Sequence, residues 1–197
     1  MSSQDQSSGV IHPSQRVGLF VDVQNLYHSS KHLYSARVNF DALVKVTVAD
    51  RPLIRAVAYV VRSDAVLAEA DESYEATGEK SFFEALKKTG LELREKDLQI
   101  FAGGAKKADW DVGMAVDAIR MANFLDVIIL VTGDGDFVPL VEYLKWGMGR
   151  QVEVAAFEKA TSARLRESAD RFIVLDEVPR ILLGRRGGRG RGGRKRR

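Results

Sequence analysis

The sequence predicts an α/β domain in which a mostly parallel sheet is covered by helices on both faces. Strand-like runs alternate with helical ones from residue 16 to residue 177, and most of the strand-like runs are continuously apolar. With 197 residues, 45% of them hydrophobic, the chain is long enough for one full core and short for two. We therefore expect one domain over residues 16–180, between a disordered lead (1–15) and a disordered tail (184–197).

The individual elements follow from apolar runs and apolar spacing. Strands are predicted where aliphatic residues run together, and helices where apolar residues recur every three or four positions. In chain order, we predict a strand at 16–23, a helix at 38–50, a strand at 55–62, a helix at 80–90, one or two short strands at 91–101, a helix at 109–124, a strand at 126–133, a helix at 136–146, a strand at 151–157, a helix near 161–169 and a strand at 171–177. Gly90 is positioned to end its helix. The acidic stretch 64–79 is predicted to be a loop or a partly helical insertion.

The C-terminal residues differ in charge from the rest of the chain. GRRGGRGRGGRKRR (184–197) contains eight basic residues and no acid, which leaves 22 Lys and Arg against 27 Asp and Glu elsewhere, a net charge of about −5. Gly/Arg tracts build no core, and their guanidinium groups pair with phosphates and stack on bases. We expect RNA to bind this tail; a solubilising charge run and an acidic membrane surface are the alternatives. The arginines expected to contact RNA are Arg185, Arg186, Arg189, Arg191 and Arg194.

Several classes of protein do not fit the sequence. It contains no cysteine, so disulfides and thiolate metal sites are excluded, as suits a reducing cytoplasm. No apolar run approaches the length of a membrane span, and the polar N-terminus does not resemble a signal peptide, so we expect a cytoplasmic protein. The P-loop pattern and the GxSxG elbow are also absent.

Carboxylates follow two of the predicted strands. Asp22 emerges where the apolar run of the first strand ends, with Asn25 a turn later, and VIILVTGDGDF places Asp134 and Asp136 directly after the central strand. Because ligands of parallel α/β folds sit at the carboxyl ends of the strands, these side chains are candidates for a shared site. Asp111, in the first turn of the most regular helix, reaches the same region only if the preceding loop doubles back.

Converging carboxylates predict a divalent cation. Without a compensating Lys or Arg they repel one another, and Mg²⁺ or Mn²⁺ relieves this repulsion while taking carboxylate and water oxygens as ligands. Asn25 can add an amide oxygen or hold a metal-bound water. A cation with open positions can bind a phosphodiester, activate a water and stabilise the leaving oxygen, so the expected chemistry is phosphodiester hydrolysis.

Each acid also has a structural explanation. Asp109 is a natural helix N-cap, and Asp111 suits the positive end of a helix dipole. Asp134 and Asp136 can be turn formers, and Asp136 can cap the following helix. Asp22 is harder to explain in this way, because an acid after an apolar strand needs a partner or an opening to solvent.

Other candidate residues leave alternatives open. Lys106 and Lys107 either bind phosphate or lie in a surface loop. His28 and His32 have the i, i+4 spacing of a metal pair, but no third ligand is evident nearby, so an exposed helix face is favoured. Trp110 either stacks on a base or packs into the core, and packing is favoured.

Two glycines and one further acid complete the candidates. Gly133 and Gly135 permit backbone geometries, including positive φ, that other residues resist. Asp117 lies six residues after Asp111, about 120° around the helix. It is a metal ligand, a group that supports the ligands, or a structural acid paired with a basic neighbour such as Arg120.

The motifs VDVQN, KKADWDVGMAVDA and VTGDGDF, in that order, resemble the NYN domain family of PIN-like ribonuclease relatives, and most closely its LabA-like bacterial branch. The likeness runs from about Val17 to Phe157. It implies a Rossmann-like, three-layer α/β/α sandwich around a mostly parallel sheet, an acidic Mg²⁺ or Mn²⁺ site, and cleavage of RNA.

The resemblance assigns roles by motif. Asp22 and Asn25 match the D-x-x-N signature of the family, and Asp134 and Asp136 match the two acids of its S/T-G-D-x-D-F element. The helix motif, usually close to K-G-V-D-V, aligns Asp111 as the site acid.

The helix motif also contains one departure from the family. Asp117 aligns with the later acid of the motif, whereas Asp109 replaces the common Gly and adds a carboxylate. Whether Asp109 or Asp111 faces the metal is left open by the motif.

The leading hypothesis is a metal-dependent ribonuclease in which Asp22, Asp111, Asp134 and Asp136 hold one or two Mg²⁺ or Mn²⁺ ions and the tail aids binding of single-stranded RNA. The rival is a non-catalytic RNA-binding or regulatory module with the same fold. A phosphatase is less favoured, because the D-x-D expected at the first strand reads D-V-Q here.

Overall fold

The computed structural model describes residues 11–62, 75–97, 99–100, 106–107 and 110–184. Its centre is a six-stranded parallel sheet in the order β4-β3-β1-β7-β8-β9, and this confirms the predicted fold class. The strands of this sheet are β1 (Val17–Asp22), β3 (Leu53–Arg62), β4 (Glu92–Asp97), β7 (Val127–Val131), β8 (Gln151–Ala156) and β9 (Arg171–Val174).

Short strands form two additional antiparallel pairs. β2 (Arg37–Val38) pairs with β10 (Leu182–Leu183), and β5 (Gln99–Ile100) pairs with β6 (Lys106–Lys107). The first pair fastens the C-terminal end of the described chain beside the segment that follows the first helix.

Helices cover both faces of the sheet. They are α1 (Val23–Tyr34), α2 (Phe40–Val48), α3 (Glu75–Lys88), α4 (Asp111–Met121), α5 (Val138–Glu142) and α6 (Ala163–Ser168). The first three pack with one apolar cluster and the last three with another, so the domain has three layers. The alternation of side chains along a strand explains the two clusters: Leu19 and Ile129 belong to the first, whereas Phe20 and Ile128 belong to the second.

Three short strands were not predicted: β2, β10 and β6, the last of which contains Lys106 and Lys107 where a loop was expected. The predicted elements need four further changes. α1 was implied by the exposed helix face expected for His28 and His32 but had no predicted bounds; it follows β1 directly. The single helix predicted at 136–146 is divided into a 3₁₀ turn (Gly135–Phe137), α5 and a π-helical turn (Tyr143–Gly147). The last strand ends at Val174 and continues as a 3₁₀ turn. The fourth change concerns the insertion: its residues 75–79 begin α3, and its other residues lie outside those described.

Gly90 ends α3 as predicted. It has φ of +84°, in the left-handed region that favours glycine, and its amide donates to the carbonyl of Lys87.

Candidate metal centre at the carboxyl edge of the sheet

The strand order reverses between β1 and β7. From β1 the chain builds outward through β3 and β4, and it then returns to pair β7 with the other side of β1 before continuing to β8 and β9. At such a point the connections leave in opposite directions and open a crevice beyond the carboxyl ends of the two strands. Asp22 ends β1, and the sequence Thr132–Asp136 follows β7, so both predicted acidic segments border this crevice.

Three carboxylates meet here. Asp111, Asp134 and Asp136 each offer an oxygen, and these oxygens all lie within 4.8 Å of one another. Asp111 begins α4, and a helix that returns antiparallel to its sheet has its N-terminus at the carboxyl edge, so the loop does bring this acid back. Asp111 and Asp134 are half-buried and Asp136 is exposed, which leaves the cluster open on one side.

Asp22 lies beside this cluster without being one of its three members. One carboxylate oxygen accepts from the amide of Asn25 at 2.9 Å, which caps α1, and the other accepts from the Thr132 hydroxyl at 3.3 Å. Burial raises the pKa of Asp22, and the charge of Asp134 acts in the same direction, while these hydrogen bonds oppose both. Asp22, for which the sequence offered no obvious structural explanation, is therefore a helix cap. Its burial disfavours the ionised carboxylate.

The acidic loop after β7 is held by polar contacts from both sides. The Asn25 side-chain oxygen accepts from the Gly133 amide at 3.0 Å, so this oxygen positions the loop. The Thr132 hydroxyl accepts from the Asp134 amide at 3.2 Å. Asp134 in turn accepts from the Asp136 amide, so Asp134 rather than Asp136 caps the turn that follows.

The glycines of this loop are required by close packing. A Cβ on Gly133 would lie 2.4 Å from the carbonyl oxygen of Ala160, and one on Gly135 would lie 2.8 Å from the Ser162 hydroxyl. Neither glycine is among the described residues with positive φ, so the conformational role expected for them is not the one they have. The Ser162 amide donates to the Gly133 carbonyl, which joins the two loops.

Asp117 is bound away from the three-acid cluster. Its carboxylate accepts from the Tyr59 hydroxyl at 3.1 Å and pairs with Arg94 at 3.4 Å. Burial, followed by the charge of Asp117, raises the pKa of Tyr59, so this hydroxyl stays a donor. Of the three readings of Asp117, the structural acid with a basic neighbour fits these contacts, and the neighbour is Arg94 instead of Arg120.

The remaining candidates lie on the surface or outside the described residues. His28 and His32 are exposed on α1, and among the described residues they belong to no cluster of possible metal ligands. Trp110 packs against Tyr59 and donates its indole N–H to the Val60 carbonyl, as the packing alternative requires. Asp109 and the tail arginines lie outside the described residues, and the side chains of Lys106 and Lys107 are likewise not described.

Sequence reasoning missed two residues that shape the site. Thr132 is fully buried and links Asp22 to the Asp134 amide, and Ser162 closes on the loop from a segment 27 or more residues away in sequence. The signal for Thr132 was present, since it is the polar residue between an apolar strand and the acids. Nothing local marked Ser162, because its partner is reached only through the packing of β8 beside β7.

The donor set suits a divalent cation. Carboxylate oxygens are the ligands that Mg²⁺ and Mn²⁺ prefer. None of the ion pairs among the described residues involves Asp22, Asp134 or Asp136, so no neighbouring Lys or Arg neutralises them. Fold and site together define a doubly wound α/β domain with an acidic pocket at its topological switch point.

Comparisons with known proteins identify the family. The NYN domain model matches residues 16–176, and the chain belongs to the NYN domain family of PIN-like nuclease domains. It is 26% identical over 106 residues to the low amplitude and bright protein LabA of Synechococcus elongatus, a match that covers 51% of this chain and 56% of LabA. The LabA match supports the LabA-like branch, although the chain spans little more than half of the length of that relative.

A solved structure shows the same fold. The crystal structure of a protein of unknown function from Vibrio parahaemolyticus is similar with a TM-score of 0.75 and 30% identity, and the match covers 88% of this chain and 99% of the other. Within the described residues of our protein, no helix combines the length and the apolar character needed to cross a bilayer.

Proposed function

We propose that this protein is a metal-dependent ribonuclease that hydrolyses phosphodiester bonds of single-stranded RNA. The observation that carries the proposal is the meeting of Asp111, Asp134 and Asp136 within 4.8 Å at the switch point of a NYN domain. Three carboxylates this close together repel one another unless a cation or a proton lies between them. An RNA phosphate, itself an anion, approaches such a pocket only when its negative charge has been neutralised.

A bound Mg²⁺ or Mn²⁺ would neutralise the charge of the phosphodiester and of the leaving oxygen and would make water a better nucleophile. Asp111, Asp134 and Asp136 would hold the cation. We include Asp22 as the fourth acid, because its charge interacts with that of Asp134.

The residues around the acids fix their geometry. Asn25 holds the Gly133 amide, and Thr132 binds both Asp22 and the Asp134 amide, so the loop is set before any ligand arrives. Preorganisation of this kind lowers the cost of reaching the transition state, since the charged groups need not be rearranged during the reaction. We propose that Lys106, Lys107 and the tail arginines bind RNA phosphates outside this pocket.

The test compares two Asp→Asn variants at opposite ends of β7. Asp134 follows the strand at the pocket, whereas Asp126 precedes it and pairs with the exposed Arg16. Each purified variant and the wild type are incubated with labelled single-stranded RNA in Mg²⁺, in Mn²⁺ or in EDTA. We expect metal-dependent cleavage by the wild type and by Asp126→Asn, and loss of cleavage by at least a hundredfold in Asp134→Asn, roughly the effect of removing one preorganised electrostatic group.

The outcomes separate the ribonuclease from the regulatory module. RNA binding without cleavage in any metal, by a folded wild type, contradicts the enzyme and favours the module. Cleavage that EDTA leaves unchanged places the activity outside this pocket. Because Asp134 also caps a turn, a thermal melt of each variant distinguishes a lost ligand from a lost fold.

A further inference from the structure

The helix that starts at the acidic pocket has an unusual outer surface. α1 has the sequence VQNLYHSSKHLY and contains no acid, in a chain whose remainder without the tail is acidic. Tyr27, His28, Lys31 and His32 are exposed on it. These four residues are called the α1 outer face; they offer three aromatic rings and one ammonium group on successive turns.

The α1 outer face is continuous with the pocket. Asn25, His28 and His32 have the i, i+3, i+7 spacing of one side of a helix, and Asn25 contacts the acidic loop through the Gly133 amide. The N-cap of the same helix is Asp22. A bound ligand chain that leaves the pocket along this side of α1 therefore reaches the rings of His28 and His32 within about two helical turns.

The contacts of Tyr34, the last residue of α1, show in which direction this helix runs. The Tyr34 ring packs on Phe157, which follows β8, and its hydroxyl donates to Asp176, which follows β9. The 12-residue helix, about 18 Å long, thus runs from the end of β1 to the ends of β8 and β9. It lies along the same edge of the sheet as the acids.

The far end of α1 is where the described chain ends. Arg37, three residues beyond the helix, is exposed and pairs through its backbone with Leu183. Arg37 belongs to none of the ion pairs among the described residues. The basic tail begins at Gly184, the residue after Leu183, so its origin lies beside this end of α1.

We infer that single-stranded RNA runs along the α1 outer face, between the acidic pocket and the origin of the basic tail. This inference rests on the proposed function and gives its substrate a path. Unstacked bases of single-stranded RNA stack on Tyr and His rings, and the backbone follows cationic groups. The ring of Tyr27 packs edge-on to His28, and Lys31 lies over it at 5.3 Å, so ring and charge are held together.

The experiment uses two matched pairs of substitutions in the full chain. Tyr27→Ala is compared with Tyr143→Ala, because the two side chains are similarly exposed, at 45% and 51%. Lys31→Ala is compared with Lys45→Ala on α2, which removes the same charge from another exposed helix position. Affinity for a fluorescein-labelled oligouridine is measured by anisotropy in EDTA over a series of salt concentrations.

We expect the α1 variants alone to lose affinity. Tyr27→Ala should weaken binding by about tenfold, the effect of one lost base stack, and Tyr27→Phe, which keeps the ring, should restore it. Lys31→Ala should weaken binding and reduce the slope of log affinity against log salt by about 0.7, the contribution of one phosphate contact to a single strand. The Tyr143 and Lys45 variants should match the wild type.

If all four variants bind the oligouridine as tightly as the wild type, the proposed RNA path is wrong. The outcome is independent of catalysis, because binding is read in EDTA whereas cleavage is read in Mn²⁺. Normal cleavage with unchanged binding of the α1 variants rejects the path and keeps the nuclease. If the α1 variants bind RNA more weakly but the wild type does not cleave RNA in Mn²⁺, the nuclease is rejected and the path is kept.

Discussion

Two groups of charged side chains lie on the same sheet and differ in how their charges are balanced. At the carboxyl edge, three acids meet, and within the described part of the chain neither Asp134 nor Asp136 forms an ion pair. Inside the opposite half, Glu153 is fully buried and binds Arg51 in a two-point contact of 2.7 and 3.0 Å, with Arg171 at 3.1 Å. The comparison separates charge placed for structure from charge available for a ligand.

The buried group is satisfied almost completely by the protein. The Arg51 guanidinium also donates to the carbonyls of Thr47 and Val48, and Gln151 donates to Glu153. These contacts join the end of α2 to β8, whose sequence positions are about a hundred residues apart. A buried carboxylate tolerates this environment only because its charge and its lone pairs are matched.

The largest expected effect comes from breaking the buried pair. Glu153→Gln leaves the Arg51 charge buried without its counter-charge, and we expect the free energy of unfolding to fall by about 3–5 kcal/mol. The measurement is urea denaturation at neutral pH. Glu158→Gln is the control, since Glu158 pairs with Arg166 at 2.8 Å but both side chains are exposed; its effect should stay below about 1 kcal/mol. Similar losses in the two variants would show that burial does not set the difference.

A substitution at the carboxyl edge should raise the free energy of unfolding instead of lowering it. Burial raises the pKa of Asp22, so its ionised form at neutral pH costs stability. Asp22→Asn removes the charge, and its side-chain oxygen can still accept from the Asn25 amide. In EDTA we expect a higher urea midpoint than that of the wild type. Addition of Mn²⁺ should stabilise the wild type more than this variant. If Asp22→Asn has a lower urea midpoint than the wild type in EDTA, the ionised Asp22 does not destabilise the fold and this prediction is wrong.

The smallest effect is expected at the exposed pair that joins the starts of β1 and β7. The Arg16 guanidinium lowers the pKa of Asp126 to about 2. A lowered folded-state pKa adds stability above the unfolded value near 3.8, and this contribution is lost as the pH falls towards 2. Asp126→Asn should therefore be slightly less stable than the wild type at pH 6 and equal to it near pH 2. A difference that grows on acidification would contradict this assignment.

Much of this fold could be predicted because its central strands, β1, β7 and β8, are buried on both faces. Residues 127–131 are all apolar and all buried, so their sequence alone identifies a central strand. The acids at the strand ends were predictable for a related reason, since the boundary between an apolar run and a polar turn is visible in one dimension. α1 was harder to detect because its outer face is polar and its buried residues, Val23, Leu26 and Ser30, include a serine.

The sequence by itself determined the parallel architecture, the positions of Asp22, Asp134 and Asp136 at strand ends, and the contrast between the acidic body and the basic tail. Only the tertiary structure decided that Asp111 joins Asp134 and Asp136, that Asp117 pairs with Arg94, and that Glu153 is neutralised by Arg51. Apolar periodicity and turn chemistry are local properties of the chain. Which charges become neighbours depends on strand order and on loop packing, and these join residues that no sequence spacing relates.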